Sequence, residues 1–282
     1  MNEKNLRLLI LVCIVSMFNS YAYAQMPVED QSHNRYTVLD SAGYIITYEM
    51  SAIHNKAKPN DKSRDVQILQ IGRKISKTFS KPLYDNDSVC TALLKKGVTA
   101  IPIYQDLVSP EDIYKNYPVG KITVSYRTFM GGPVLKYEEG MPAFKWQMMP
   151  ERKTVLNYQC QKAVTTYRGR DYTAWFTTAI PIPEGPWKFG GLPGLIMQIT
   201  DSKNEYEYMC IGIQKILSKK QPIKFWKWDY QNTTREKART LLKNMHEKPN
   251  AFLKATTGDG IHIIGGGNPD MLKYPYNPIE LE

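Results

Sequence analysis

The sequence contains little cysteine and histidine, and it lacks the short patterns that mark common catalytic and metal sites. Four cysteines and four histidines are spread over 282 residues, and no two cysteines have CxxC spacing. The absence of this spacing excludes zinc ribbons and thioredoxin-like redox sites. The HExxH, GxSxG and P-loop patterns are also absent. We therefore expect no cofactor, no bound metal and no catalytic site of a known type.

The N-terminus carries the pattern of a secretory signal. Lys4 and Arg7 precede an apolar run over residues 8–18, and the small residues Ala22 and Ala24 follow it. A basic start, a short apolar centre and small residues at the −3 and −1 positions predict cleavage after Ala24. The run is too short for a permanent membrane anchor, and no later segment is apolar enough to span a bilayer.

The signal predicts an exported protein without a lipid anchor. Cys13 lies inside the apolar run rather than at the cleavage point, where a lipid-bearing cysteine would stand. Removing residues 1–24 takes away two basic residues and one acidic residue, so the net charge falls from +10 to +9. The mature chain of 258 residues would begin at Gln25. We expect it in the periplasm, on the outer-membrane surface or outside the cell.

The mature chain is long enough for one large domain with a full core. Residues 25–42 are polar and without a period, and we expect them to be a flexible segment before a single β-rich domain over residues 43–282. This domain retains Cys90, Cys160 and Cys210. One disulfide with one remaining thiol and three buried thiols are both compatible with that number.

Alternating apolar residues predict strands over much of the domain. Tyr44, Ile46, Tyr48 and Met50 recur at every second position, which is the strand period. The 19 tyrosines suit such strands, because their rings pack well on a half-buried sheet surface. Further strands or hairpins are predicted at residues 66–80, 121–127, 134–137, 144–146, 154–167, 170–178, 195–200 and 206–213.

Helical patterns are fewer. Thr233 and Glu236 form a capping box, and Ala238, Leu241 and Leu242 give the apolar stripe of a helix over residues 234–248. A shorter helix is predicted over residues 87–97.

We therefore predict a mainly β fold with minor α content. Consecutive strands with short links favour a large curved antiparallel sheet, an open barrel or half-barrel packed with one main helix. A two-sheet sandwich is the alternative.

One motif resembles a known family. The string GLPGLI consists of Gly191, Leu192, Pro193, Gly194, Leu195 and Ile196, and the sequence resembles the GLPGLI family of exported Gram-negative bacterial proteins. The residues at 158–163, 168–170, 174–176 and 276–280 also fit that family's pattern. The resemblance implies secretion and a β-rich fold. It implies no established activity and supplies no catalytic residue.

The segment around the motif allows two interpretations. Pro193 and Gly194 suit the central positions of a type II turn, which predicts positive φ at Gly194. The turn would then be a buried corner between two strands. The alternative is a binding lip formed by Trp187, Lys188 and Phe189, since rigid loops with aromatic rings often carry recognition.

The positive charge is concentrated near the C-terminus. Residues 215–254 contain eleven basic and three acidic side chains, a net charge of +8. Within them, Lys224, Trp226, Lys227 and Trp228 interleave cations with aromatic rings, which is typical of a surface that binds anionic lipid or glycan. The alternative is a solvated helix face with both tryptophans in the core. An exported protein rarely meets nucleic acid, so none is expected as a partner.

These patterns favour a non-enzymatic cell-envelope protein that binds an anionic surface, or an apolar or glycan ligand. An exported enzyme of an undescribed type and an interaction partner of an outer-membrane protein assembly are the alternatives. Met141, Met148 and Met149 flank Trp146, and thioethers bind copper(I). No histidine or cysteine neighbours them in the sequence, so core packing is the preferred role.

Overall fold

The computed structural model describes residues 31–98, 108–128, 132–218, 221–257 and 273–282. The predicted signal peptide and Gln25 lie outside these ranges. Within them, no helix combines the length and hydropathy needed to cross a bilayer.

Fourteen strands and three helices form in the described part of the chain. The strands are β1 (Tyr36–Ala42), β2 (Tyr44–Ala52), β3 (Ser63–Ile71), β4 (Ser76–Ser80), β5 (Glu111–Lys115), β6 (Lys121–Arg127), β7 (Val134–Gly140), β8 (Gln147–Val155), β9 (Tyr158–Tyr167), β10 (Arg170–Thr177), β11 (Leu195–Asp201), β12 (Tyr206–Lys215), β13 (Gln221–Trp226) and β14 (Tyr230–Asn232). The helices are α1 (Lys81–Lys95), α2 (Arg235–Glu247) and α3 (Pro249–Thr257).

Twelve of these strands form one open sheet, in the order β14-β7-β6-β5-β4-β3-β2-β12-β11-β10-β9-β8. All neighbours are antiparallel except β14 and β7, which are parallel. Strands β14 and β8 are the two edges, so the sheet does not close into a barrel. The prediction of a mainly β fold built on a large sheet is confirmed. The second sheet is only the antiparallel pair of β1 and β13.

The inner face of the large sheet wraps around a loop. We call residues 178–194, between β10 and β11, the GLPGLI loop. Its Trp187, Phe189 and Leu192 side chains pack in one core with inward residues from β2 through β12. Ala238 of α2 joins the same core. The expectation that one main helix fills the curved sheet is therefore incomplete, because aromatic loop residues supply much of the filling.

Helix α1 and the β1–β13 pair pack against the outer face of β4 and β6. Trp226 of β13 is 2% exposed, and the Lys77 ammonium lies 5.0 Å from its ring centroid. Asp87 of α1 accepts a 2.9 Å hydrogen bond from Arg127 of β6.

Two predictions near the chain's N-terminal half are wrong in detail. Part of the segment predicted to be flexible, 25–42, is the strand β1, which pairs with β13. The sequence analysis did not recognise its partner strand in the basic segment. Helix α1 begins six residues before the predicted start, because Ser80 caps the backbone amide of Leu83 and proline occupies the first turn.

Other local features follow the sequence more closely. Helix α2 spans Arg235–Glu247, which confirms the predicted helix. Its cap is Thr234, whose hydroxyl accepts from the Lys237 amide, so the predicted capping box of Thr233 and Glu236 is one residue too early. The run at 154–167 is divided between β8 and β9, because Leu156 and Asn157 turn the chain with φ values of 47° and 65°. Cys90, Cys160 and Cys210 are all buried, and none of them is in a disulfide, so the structure supports three thiols.

Candidate functional site

The GLPGLI loop is held in place by hydrogen bonds to its backbone. Lys115 of β5 donates to the carbonyl oxygens of Gly185 and Phe189, at 2.8 and 2.9 Å. The Trp146 indole donates to the carbonyl oxygen of Gly190 at 2.9 Å. These bonds satisfy buried carbonyl groups that no strand pairing reaches, so the loop has a fixed shape.

The glycine requirement of the motif differs from the predicted one. Positive φ occurs at Gly191 (83°) and not at Gly194, so the predicted type II turn with left-handed Gly194 is wrong. Gly194 lies against β10 instead. A Cβ atom at this position would be 2.0 Å from the Thr177 carbonyl oxygen, which is inside any allowed contact distance. Close backbone packing therefore explains the glycine at 194.

The candidate lip residues face inward. Trp187, Lys188 and Phe189 are 3%, 2% and 0% exposed, so they do not form an outward-facing lip. Trp187 and Lys188 line a partly open cavity instead. The buried-corner interpretation describes the position of the loop, and two of its side chains form part of the cavity wall.

Lys188 is the centre of a buried ion cluster. Its ammonium lies 2.5 Å from Glu139 Oε1 and 2.8 Å from Glu280 Oε1. Arg235 of α2 lies 2.7 Å from the other oxygen of Glu280. Burial opposes the charged form of Lys188, but Tyr137, Glu280 and Glu139 outweigh it and raise its pKa above the ordinary value. The cluster links the loop, β7, α2 and the C-terminal segment.

The C-terminal segment, residues 275–280, is fastened by a second buried cation. Arg170 donates to Asp201 at 2.8 Å and to Glu205 at 2.6 Å. The same guanidinium donates to Asn277 Oδ1 and the Pro278 carbonyl oxygen. Three separated stretches of the family resemblance, around Arg170, Lys188 and the C-terminal segment, thus meet in space.

A cavity of about 130 Å³ lies between the inner face of the sheet, the GLPGLI loop, α2 and the C-terminal segment. Aromatic side chains form much of its wall, and polar groups are placed among them. The side chains that line the cavity include those of His54, Glu111, Tyr126, Tyr137, Trp187, Lys188, Tyr206, Tyr208, Arg239, Leu242, His246, Tyr276, Asn277 and Glu280.

Two largely buried tyrosines at the cavity have hydroxyl groups without a hydrogen-bond partner among the described residues. Tyr137 and Tyr208 are 7% and 4% exposed, and no described residue hydrogen-bonds to either hydroxyl. Neighbouring Tyr206, by contrast, donates to the Asn277 carbonyl oxygen at 2.5 Å. Burial and nearby carboxyl groups raise the pKa of both Tyr137 and Tyr208, so these phenols are neutral donors and acceptors.

Burial raises the pKa of two carboxyl groups in the cavity wall, Asp65 and Glu111. Asp65 accepts hydrogen bonds from Gln67, Ser80 and the Ser109 amide, whereas fewer groups contact Glu111. The Trp187 indole donates to its Oε2 at 3.3 Å, and no cation lies within 4 Å of it in the described ranges. Burial raises the Glu111 pKa to about 7; Lys188 lowers this pKa, and Glu280 raises it further. Both protonation states are therefore populated near neutral pH.

The other polar side chains of the cavity wall are less suited to bind a ligand directly. His54 lies 2.9 Å from Ser63 Oγ, and burial lowers its pKa. Burial lowers the pKa of His246 to about 4. Arg239 donates to the Glu280 carbonyl oxygen at 2.8 Å. Neither imidazole is charged at neutral pH.

The aromatic part of the basic segment is largely occupied. Trp226 is buried, so its predicted contact with an interface is wrong. The Lys224 ammonium stacks 4.1 Å from the Tyr36 ring centroid, and Trp228 donates to the Ser32 carbonyl oxygen. Lys227 remains exposed.

One helical cation of this segment also lies away from the outer surface. Arg235 is 6% exposed and points into the ion cluster.

No metal site emerges from the described residues, in which no group of three or more His, Cys, Asp or Glu side chains could hold an ion. Met141 and Met148, from the methionine-rich stretch, are 43% and 45% exposed.

The sequence analysis missed the main cavity groups. Glu111, Tyr137 and Tyr208 gave no motif. Neither did Glu139 of the adjoining ion cluster, although it follows two apolar residues at the strand period in β7. A lone charge on the inward face of a strand is the one signal that could have pointed to the ion cluster.

The fold and cavity together define a class: an open β-sheet protein whose inner face encloses a loop and a small aromatic cavity. The family described as "Protein of unknown function (Porph_ging)" matches residues 168–198. This stretch contains the GLPGLI string, and the match confirms the predicted resemblance there.

No curated protein matches the chain. Two solved structures of PNGF-II, in the C2 and P21 space groups, are similar at 13% and 14% identity, with TM-scores of 0.45 and 0.44. Each alignment covers 72% of this chain and 32% or 33% of the PNGF-II chain. The chain thus spans about a third of the length of those structures.

Proposed function

We propose that this is an exported, non-enzymatic binding protein that holds a small polar ligand in the cavity beside the GLPGLI loop. One observation carries the proposal: the cavity wall contains two largely buried tyrosines, Tyr137 and Tyr208, whose hydroxyls have no hydrogen-bond partner among the described residues. A polar ligand would supply the missing bonds.

The surrounding contacts support a preformed site. Lys115 and Trp146 fix the loop, and Arg170 fixes the C-terminal segment. A rigid site loses little conformational entropy when a ligand binds. The cavity's combination of aromatic walls and a few polar groups is typical of small-molecule sites.

The basic segment is a weaker candidate for the binding surface. Of its cations, Lys224 is stacked on Tyr36 and Arg235 is buried in an ion cluster, so neither is available to an anionic membrane. The cavity therefore has the better geometric support.

Native purification of the mature protein and mass spectrometry of bound small molecules test the proposal. Leu242→Trp places a larger side chain in the α2 wall and so reduces the cavity volume. Ile211→Trp is the matched control, because Ile211 is 48% exposed. We expect a ligand with the parent and with Ile211→Trp, and loss of that ligand with Leu242→Trp. Absence of a ligand from all three, or its retention by Leu242→Trp, would contradict the proposal.

The second candidate is an exported enzyme, and Glu111 is the specific reason to consider it. A carboxyl group with a pKa of about 7 in a cavity is suited to general acid or base catalysis. Glu111→Gln separates the two functions. A binding site retains most of its affinity, because glutamine still donates and accepts hydrogen bonds, whereas an enzyme would bind its substrate but lose turnover.

A further inference from the structure

We propose that the cavity ligand is one neutral sugar ring, hydrogen-bonded by Tyr137, Tyr208 and Glu111 and packed against the Trp187 side of the wall. This inference rests on the proposed function and names its ligand class. The available space, the hydrogen-bonding groups and the charges each point to the same chemistry.

The space suits a single ring. An apolar cavity of about 150 Å³ holds benzene, whereas sites for drug-sized ligands occupy about 300–1,000 Å³. At about 130 Å³ and partly open to the outside, this cavity can take one six-membered ring whose substituents extend through the opening, or the end of a longer molecule, and not a whole acyl chain.

The hydrogen-bonding groups suit hydroxyls. The Tyr137 and Tyr208 phenols each donate one hydrogen bond and accept others, and protonated Glu111 does the same. A sugar hydroxyl also donates and accepts, so it can satisfy each of these groups in either direction. The aromatic wall then packs against the apolar face of the ring.

The charges disfavour ionic ligands. Lys188 already lies between two carboxylates, Glu139 and Glu280, so it has little capacity for an added anion. An ammonium ligand would pair only with the ionised fraction of Glu111, and it would share the cavity with the Lys188 and Arg239 cations. A neutral ligand avoids both conflicts.

Calorimetric titration of the mature protein with matched rings tests the inference. Glucose, galactose and mannose are the neutral probes, glucosamine and glucuronate are the charged counterparts, and cyclohexanol is a ring with a single hydroxyl. We expect at least one hexose to bind, and the charged sugars and cyclohexanol to bind at least about tenfold more weakly. Tyr137→Phe and Tyr208→Phe should each weaken hexose binding about five- to tenfold, and Tyr44→Phe, outside the cavity, should not.

Dependence on pH gives a second readout. Hexose affinity should fall as pH rises through about 7, because a neutral ring removes water from ionised Glu111 and supplies no compensating charge. Lys188, Glu139 and Glu280 face Glu111 from the loop, β7 and the C-terminal segment. Asp65 of β3, whose pKa burial raises, and Arg239 of α2 line the same cavity, and the nearby tyrosines stay protonated in this range. His54 and His246, whose pKa values are lowered, are neutral there. Glu111→Gln should remove the dependence.

The outcomes separate the two proposals. Binding of cyclohexanol or glucosamine without any hexose would overturn the sugar assignment and leave the binding function in place. If no probe binds and no small molecule co-purifies, both proposals fail. Hexose binding that is unchanged by Tyr137→Phe and Tyr208→Phe would place the sugar outside this cavity and also overturn the inference.

Discussion

The ammonium of Lys188 lies 2.8 Å from Glu280 Oε1, and this contact joins the GLPGLI loop to the C-terminal segment. Both side chains are buried, at 2% and 5% exposure. Two segments that are 92 positions apart in the sequence therefore form the same wall of the cavity.

Replacing Lys188 with methionine should strongly destabilise the fold. The change leaves the Glu139 and Glu280 carboxylates buried with less compensating charge, and breaking a buried pair in this way costs about 3–5 kcal/mol. Urea-induced unfolding measures the loss. Lys243→Met is the control, because the exposed pair of Lys243 and Glu247 should contribute less than about 0.5 kcal/mol. Similar losses in the two variants would contradict the role of the buried cluster.

Gly194→Ala should destabilise the protein by more than about 1 kcal/mol, the usual scale of a glycine change in regular structure. The added methyl would meet the Thr177 carbonyl oxygen at 2.0 Å, so the GLPGLI loop or β10 must move. Gly140→Ala is a matched control, since no atom lies within 4 Å of its Cβ position and its φ is not positive. Thermal unfolding of both variants tests this. Equal melting temperatures would show that the close packing at 194 is unimportant.

Stability should fall with pH where Glu111 releases its proton. The ordinary pKa of 4.5 applies to the unfolded chain and about 7 to the fold. Between these values the folded state binds more protons, so this contribution is fully present below 4.5 and is lost as pH rises through about 7. The shift corresponds to a loss of about 3 kcal/mol.

Glu111→Gln isolates this contribution, because glutamine does not titrate. The difference in unfolding free energy between the parent and this variant, measured by urea unfolding across that pH range, should change by about 3 kcal/mol. Buried Glu280, whose pKa Lys188 and Arg235 lower against the effect of burial, titrates in both proteins and cancels in the comparison. A constant difference would mean that Glu111 has an ordinary pKa.

Export predicts a defined mature N-terminus. Intact-mass measurement of the protein from the cell envelope or medium should show a chain that begins at Gln25, in its open or cyclised form. The reason is the Ala22-Tyr23-Ala24 site behind the apolar run. A protein that retains Met1, or one that is cut at Cys13 and carries lipid, would disprove the prediction.

Local periodicity was sufficient to predict several elements. The alternation from Tyr44 to Met50 predicted β2, and the capping box predicted α2. These signals are local, because side-chain direction and helix capping depend on residues a few positions apart. Strand β13 was missed because its Lys224 and Trp226 resemble a basic aromatic surface when the partner strand is unknown.

The cavity could not be predicted from local patterns. Glu111 acquires its raised pKa from burial by groups that are distant in sequence, including Trp187 at 76 positions away. Lys188 appeared to be part of an exposed lip because its two carboxylate partners lie on β7 and at the C-terminus. The family resemblance marked three stretches of the site, but only the fold shows that they meet.

A crystal structure of the natively purified mature protein tests the central claim most directly. We predict electron density for one ring-sized molecule between the GLPGLI loop and the C-terminal segment, within hydrogen-bonding distance of the Tyr137 and Tyr208 hydroxyls. A cavity that is closed by its own side chains, with both hydroxyls bonded to protein groups, would contradict the account.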